Sequence, residues 1–146
     1  MSSSGPGEMF LCEERMNSSI YTTMLSQVLE PSIQKLQSTT PREEIIFQQD
    51  NAPCHTSRQT KTWFDEAGIE PMDWPAQSPD LNPIEHLWGV LGKAIRSMAS
   101  TSKDNLYKNL RSEWEKISSE TCKNLVESMP RRVKDVIMAK GGPTKY

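Results

Sequence analysis

Cysteine and histidine are scarce in this sequence: three cysteines (Cys12, Cys54, Cys122) and two histidines (His55, His86) in 146 residues. The cysteines are odd in number and far apart, which argues against a disulfide framework of the kind that staples small secreted domains. With no Cys-x-x-Cys pair, the same scarcity argues against a zinc site. No uncharged stretch approaches the length of a membrane span. The start, MSSSGPGEMF, has neither a basic nor an apolar signal region. Positive charge is not in excess either. The net charge is −2 with 25% charged residues, so the whole-chain balance supplies no general attraction to nucleic acid. Any DNA contact must be local. No internal repeat is visible, and the length suits a single domain, read as soluble and intracellular.

Residues 1–15 carry Ser, Gly and Pro without a hydrophobic period, and are expected to be disordered. From Asn17 a helical pattern begins, with Asn17 or Ser18 as N-cap. Ile20, Tyr21, Met24, Leu25, Val28 and Leu29 share one face. Pro31 should interrupt or bend this helix, with Ile33 and Leu36 continuing the stripe. QSTTPREE reads as a loop. Glu44–Asp50, a β-branched and aromatic run ending before Asn51 and Pro53, reads as a buried strand. Thr56 or Ser57 can cap a helix through Trp63 and Phe64, stopped by Gly68. Ile69–Trp74 follows as a second short strand. Strand, helix and strand predict a right-handed unit with parallel strands, hence an α/β fold.

WPAQSPDLNPIEHLW, residues 74–88, is a rigid approach to a helix. Asn82 stands where an N-cap belongs, Pro83 at the first helical position, and Glu85 three residues after the cap. Ile84, Leu87, Trp88, Leu91, Ile95 and Met98 form a core-facing stripe, with Glu85, Gly89, Gly92 and Arg96 on a more polar face. Two further helical patterns carry Leu106, Leu110, Trp114 and Ile117, then Cys122, Leu125, Val126 and Met129. Pro130 opens a last basic turn, Arg131-Arg132-Val133-Lys134. Trp63, Trp88 and Trp114 sit on apolar stripes and are expected in the core.

Asp50 and Glu85 invite a chemical reading. One ends a strand, where open α/β sheets place their sites, and the other lies in the first turn of a helix. Carboxylate oxygens are the ligands that Mg²⁺ and Mn²⁺ prefer, and a pair of such ions can clamp a phosphodiester during in-line displacement. A structural reading stands beside it and, on the residues alone, is the commoner meaning. Asn-Pro-Ile-Glu is also a capping box, and Asp before Asn-Ala-Pro is an ordinary turn former. His55, Arg58, Lys61, Arg131 and Arg132 are candidate DNA contacts, with a solvated turn or helix face as the alternative for each.

FQQDNAPCHTS, WPAQSPDLNPIEHLWG and SMPRRVKDVIMAKGGPTKY together resemble the catalytic domain of the mariner-type DDE transposase superfamily, in particular the branch named after the nematode transposon. The similarity runs from about Met16 to Tyr146 and implies a ribonuclease-H-like fold with an Asp, Asp, Glu triad that binds Mg²⁺ or Mn²⁺. Asp50 matches the second Asp and Glu85 the Glu, with residues 51–84 between them, the 34-residue spacing of that branch. No aspartate precedes Asp50, and no other residue takes the first role. The resemblance therefore implies a truncated catalytic domain over residues 16–146. Such a domain lacks the family's first three strands, is helix-rich towards its carboxyl end, and is impaired in activity. Implied partners are double-stranded DNA (transposon ends and target) and other transposase subunits, in the nucleus. The competing expectation is a non-enzymatic fragment that binds DNA or full-length transposase.

Overall fold

The computed structural model describes residues 1–39, 45–98 and 102–146. They form two compact units, Phe10–Gln77 and Met1–Met9 with Ser78–Tyr146.

In the first unit the caps fall where the sequence puts them. Asn17 Oδ1 accepts the Ile20 N–H at 2.9 Å and opens helix α1, Ser18–Met24. Pro31 does not end the helix. A π-helical turn, Leu25–Leu29, intervenes before α2, Glu30–Thr39, with the Glu30 N–H donating back to the Leu25 carbonyl. A missing N–H and a bulky ring at Pro31 cannot sit in an unbroken i→i−4 ladder, and one wide turn absorbs them. Helix α3, Arg58–Ala67, is capped by Ser57 and closed by Gly68, whose φ of 65° no β-carbon favours. Tyr21, Leu25 and Phe64 form the buried centre, with Met24, Leu29, Phe47, Cys54, Trp63 and Ile69 packed on it.

The strands are much reduced from expectation. Glu44 and part of the QSTTPREE loop lie outside the described residues. Ile45–Asp50 makes one parallel bridge, Phe47 to Pro71, with the Met72 N–H donating to the Phe47 carbonyl at 2.8 Å. The parallel arrangement around α3 is therefore present as a single rung. Beyond this rung, Asn51 donates from its side chain to the Trp74 carbonyl at 2.7 Å. Ile46 is left 61% exposed.

The second unit is helical. A 3₁₀ turn, Pro79–Leu81, leads into α4, Pro83–Arg96; then come α5, Lys103–Glu115, α6, Ser119–Glu127, and α7, Met129–Met138. Leu87, Leu91, Trp114, Cys122 and Leu125 are its core. Three expectations change here. Residues 1–9 acquire packing: Met1 and Met9 lie against the core, and the Trp114 indole N–H donates to the Gly7 carbonyl at 2.8 Å. Trp88, expected in the core, stacks on Trp114 at 5.3 Å but stays 44% exposed. The basic stretch after Pro130 is a full ten-residue helix rather than a turn.

Candidate active site

Asp50 leaves the Phe47 rung and turns at once. Its Oδ1 accepts the Ala52 N–H at 3.0 Å, closing an Asx turn, and meets His55 Nδ1 at 2.7 Å. Both contacts fall on Oδ1. The Oδ2 atom has no partner among the described residues, and the side chain is 59% exposed. His55 is held in turn by Tyr21, whose ring centre lies 4.1 Å away. The Tyr21 hydroxyl donates to Gln49 Oε1 at 2.6 Å. Burial pushes the Tyr21 phenol well above its ordinary pKa, with Cys54 and Asp50 adding to the effect, so this hydroxyl stays a donor.

Glu85 is held quite differently. Asn82 Oδ1 caps α4 by accepting the Ile84 N–H at 3.3 Å. The other half of a capping box does not form, because the Asn82 N–H donates to the Pro79 carbonyl at 2.9 Å. Glu85 is thus released from capping duty. Its carboxylate is exposed and makes no hydrogen bond or ion pair among the described residues.

The candidate DNA contacts separate by burial. Arg58 and Lys61 are exposed on α3, where Arg58 lines a shallow groove with Thr22, Gln59, Thr62, Trp63 and Glu66. Arg131 is exposed, and its Nε donates to the Tyr146 hydroxyl at 2.8 Å. Arg132, read as a DNA contact, is only 3% exposed. Its guanidinium donates to Ser128 Oγ and to the Asp80 carbonyl, both at 2.8 Å, and lies 4.3 Å from the Tyr146 ring centre. Arg132 is occupied by the fold.

Sequence reasoning also missed Asp80. Its carboxylate accepts both the backbone N–H and the hydroxyl of Thr144. These two hydrogen bonds hold its pKa below the usual carboxylate range, assisted by Arg132. The partners lie 52 and 64 residues away, so no local pattern could have shown them. The hydrogen bond of Tyr21 to Gln49, 28 residues along the chain, was hidden from local patterns in the same way.

The donor chemistry of Asp50 and Glu85 fits Mg²⁺ or Mn²⁺, because each offers carboxylate oxygen not used by the fold. No group of three or more His, Cys, Asp or Glu side chains able to hold a metal occurs among the described residues. No described helix is long and apolar enough to cross a membrane.

Residues 1–107 match the family described as DDE superfamily endonuclease. The chain belongs to that family. Among curated relatives in the DDE family, the Tcb2 transposase of Caenorhabditis briggsae is 38% identical over 132 residues, covering 90% of this chain and 48% of that protein. The Tc1 transposase of Caenorhabditis elegans is 44% identical over 102 residues, covering 70% of this chain and 37% of the relative. The chain thus spans about half, or less, of the length of these relatives. The catalytic domain of Mos1 transposase, solved with Raltegravir and Mg, superposes with a TM-score of 0.83 at 24% identity, covering 98% of this chain and 73% of that one. Its counterpart with Mn superposes equally well, and Mos1 has also been solved as a paired-end complex and a strand transfer complex. The superposition shows the fold: the chain follows the ribonuclease-H-like fold of the Mos1 catalytic domain over the 73% of it that it covers.

Proposed function

We propose that this chain serves DNA transposition through metal-dependent cleavage and joining of phosphodiester bonds, with Asp50 and Glu85 as its carboxylate ligands for Mg²⁺ or Mn²⁺. One observation carries the reading: both motif carboxylates keep oxygen free of structural duty. Glu85 is replaced in capping by Asn82 and the Pro79 carbonyl, and Asp50 accepts its local bonds on Oδ1 alone. A divalent cation held by Asp50 and Glu85 would contribute Lewis acidity, activating an oxygen nucleophile and neutralising charge on the leaving oxygen. The chain's own residues orient. Ala52 and His55 fix the Asp50 carboxylate, while Asn82 and Pro83 fix the backbone that bears Glu85.

Double-stranded DNA, as transposon ends and target, and other transposase subunits are the proposed partners, and the nucleus is the proposed place of work. Exposed Arg58, Lys61 and Arg131, together with His55, are the proposed phosphate contacts. Calorimetric titration with Mn²⁺ tests the metal assignment. A saturable heat in the wild type should be lost in Asp50→Ala and strongly weakened in Glu85→Gln. Equal heats for wild type and Asp50→Ala would overturn it.

A second reading is a non-enzymatic protein that binds DNA or pairs with full-length transposase. It needs only the exposed Arg58, Lys61 and Arg131 as phosphate contacts, without a metal. Incubation of the chain with transposon-end DNA and Mn²⁺ separates the two. Bound but uncut DNA supports the second reading. Nicked or joined products that vanish in Glu85→Ala support the first.

A further inference from the structure

We infer that Arg132, Thr144 and Asp80 form a positioning clamp, in which the segment after α7 grips the turn before α4 and thereby fixes the backbone that presents Glu85. This rests on the metal role proposed for Glu85.

The clamp is built by a reversal of the chain. Helix α7 ends at Met138; Lys140 and Gly141 adopt φ of 51° and 80°, and the Gly141 N–H returns to the Val136 carbonyl at 3.1 Å. Glycine suits a φ of 80°, and the turn it permits sends residues 143–146 back alongside α7. There Lys145 pairs with Asp135 at 3.0 Å, and the Tyr146 ring lies beside the Arg132 guanidinium. Thr144 is set down on Asp80.

Every grip converges on Asp80. Thr144 donates twice to its carboxylate, and buried Arg132 donates to its carbonyl. A residue held by side chain and backbone together cannot rotate without breaking charge-assisted bonds. Asp80 stands two residues before the cap Asn82, within a turn closed by Leu81 N–H to Ser78 and Asn82 N–H to Pro79. Glu85 follows on the first turn of α4, where its N–H donates to the Asn82 carbonyl at 3.2 Å. Fixing Asp80 therefore fixes the cap, and the cap fixes the direction in which the Glu85 backbone enters the helix. A flexible glutamate on a loose helix start would be a poor ligand, because misplacement of the supporting shell weakens metal binding.

Hydrogen exchange and Mn²⁺ titration on Asp80→Asn and the milder Thr144→Val test this, with circular dichroism confirming the fold of each. Exchange at the Leu81, Asn82, Ile84 and Glu85 amides should rise about tenfold, the factor expected from losing one hydrogen bond to a charged group. The Trp114 and Cys122 amides should keep wild-type protection. Mn²⁺ affinity should fall roughly tenfold, as for other residues that orient a metal ligand. Unchanged exchange at the four amides would overturn the clamp, as would faster exchange throughout α4, α5 and α6, which marks a general staple. Local exchange with wild-type Mn²⁺ affinity would overturn its positioning role. A Glu85→Gln protein with wild-type Mn²⁺ affinity would instead overturn the metal reading beneath it, recognisable because the exchange pattern of the clamp variants would stand as expected.

Discussion

Asp50 and Glu85 are two carboxylates of one sequence motif set, yet they are held by opposite means. Asp50 is gripped on its own oxygen, by Ala52 and by a histidine that stacks on a buried tyrosine. The Glu85 carboxylate is gripped by none of the described residues. Its rigidity comes from the backbone, through Asn82, Pro83 and the clamp on Asp80. A ligand can thus be oriented through its functional atoms or through its main chain, and the two routes fail differently. Disturbing the first changes charge and orientation at the carboxylate with little loss of stability. Disturbing the second loosens the local fold first and the carboxylate as a consequence.

The largest difference should appear between Arg132→Met and His55→Ala. Arg132 is buried and donates twice to neutral oxygens, so its loss should lower stability by about 3 kcal/mol in urea denaturation. His55→Ala breaks a pair with a mostly exposed carboxylate and a ring contact with Tyr21, and should cost less than Arg132→Met while changing Mn²⁺ affinity. Equal costs would erase the distinction.

Smaller effects sharpen the comparison at the helix start. Asn82→Ala should cost about 1 kcal/mol by losing the cap. Glu85→Gln should change stability by no more than about 0.5 kcal/mol, because no fold contact is removed. A large cost for Glu85→Gln would restore the capping-box role that the hydrogen bonds of Asn82 deny it.

The smallest predicted effect is one of pH. The folded pKa of Asp80 is depressed, so its contribution is fully present above the unfolded carboxylate value and lost as pH falls through the folded value. Melting temperatures of wild type and Asp80→Asn, measured from neutral pH down into the acid range, should therefore converge as the pH drops. A constant gap would place the effect of Asn elsewhere.

Much of this was legible in the sequence because it is local. The caps at Asn17, Ser57 and Asn82, the stop at Gly68 and the stripe through Leu87 and Leu91 all depend on neighbours within a turn or two. Misreadings concern partners far along the chain. Arg132 reads as one of a solvated basic cluster until Asp80 and Tyr146 close over it. Trp88 falls on the apolar stripe of α4, but stacking on Trp114 leaves one part of its ring in water. Residues 1–9 look structureless by composition, while the Trp114 indole and the core give Gly7, Met1 and Met9 their places. The apolar run before Asp50 has strand character, but among the described residues it makes only one rung, with Pro71. As for the carboxylates, spacing and family likeness pointed to Asp50 and Glu85. The sequence left open whether Glu85 was a cap, and only the Asn82–Pro79 bond answers that.

The central claim is that Asp50 and Glu85 are metal ligands, and the paramagnetism of Mn²⁺ tests it directly. On an assigned NMR spectrum of the whole chain, substoichiometric Mn²⁺ should broaden the amide signals flanking Asp50 and those flanking Glu85 before any others. Asp50→Ala should abolish this broadening, and Glu85→Gln should strongly weaken it. Broadening that begins at other surface carboxylates such as Glu13, Glu14 or Glu120, and is indifferent to both substitutions, would contradict the account.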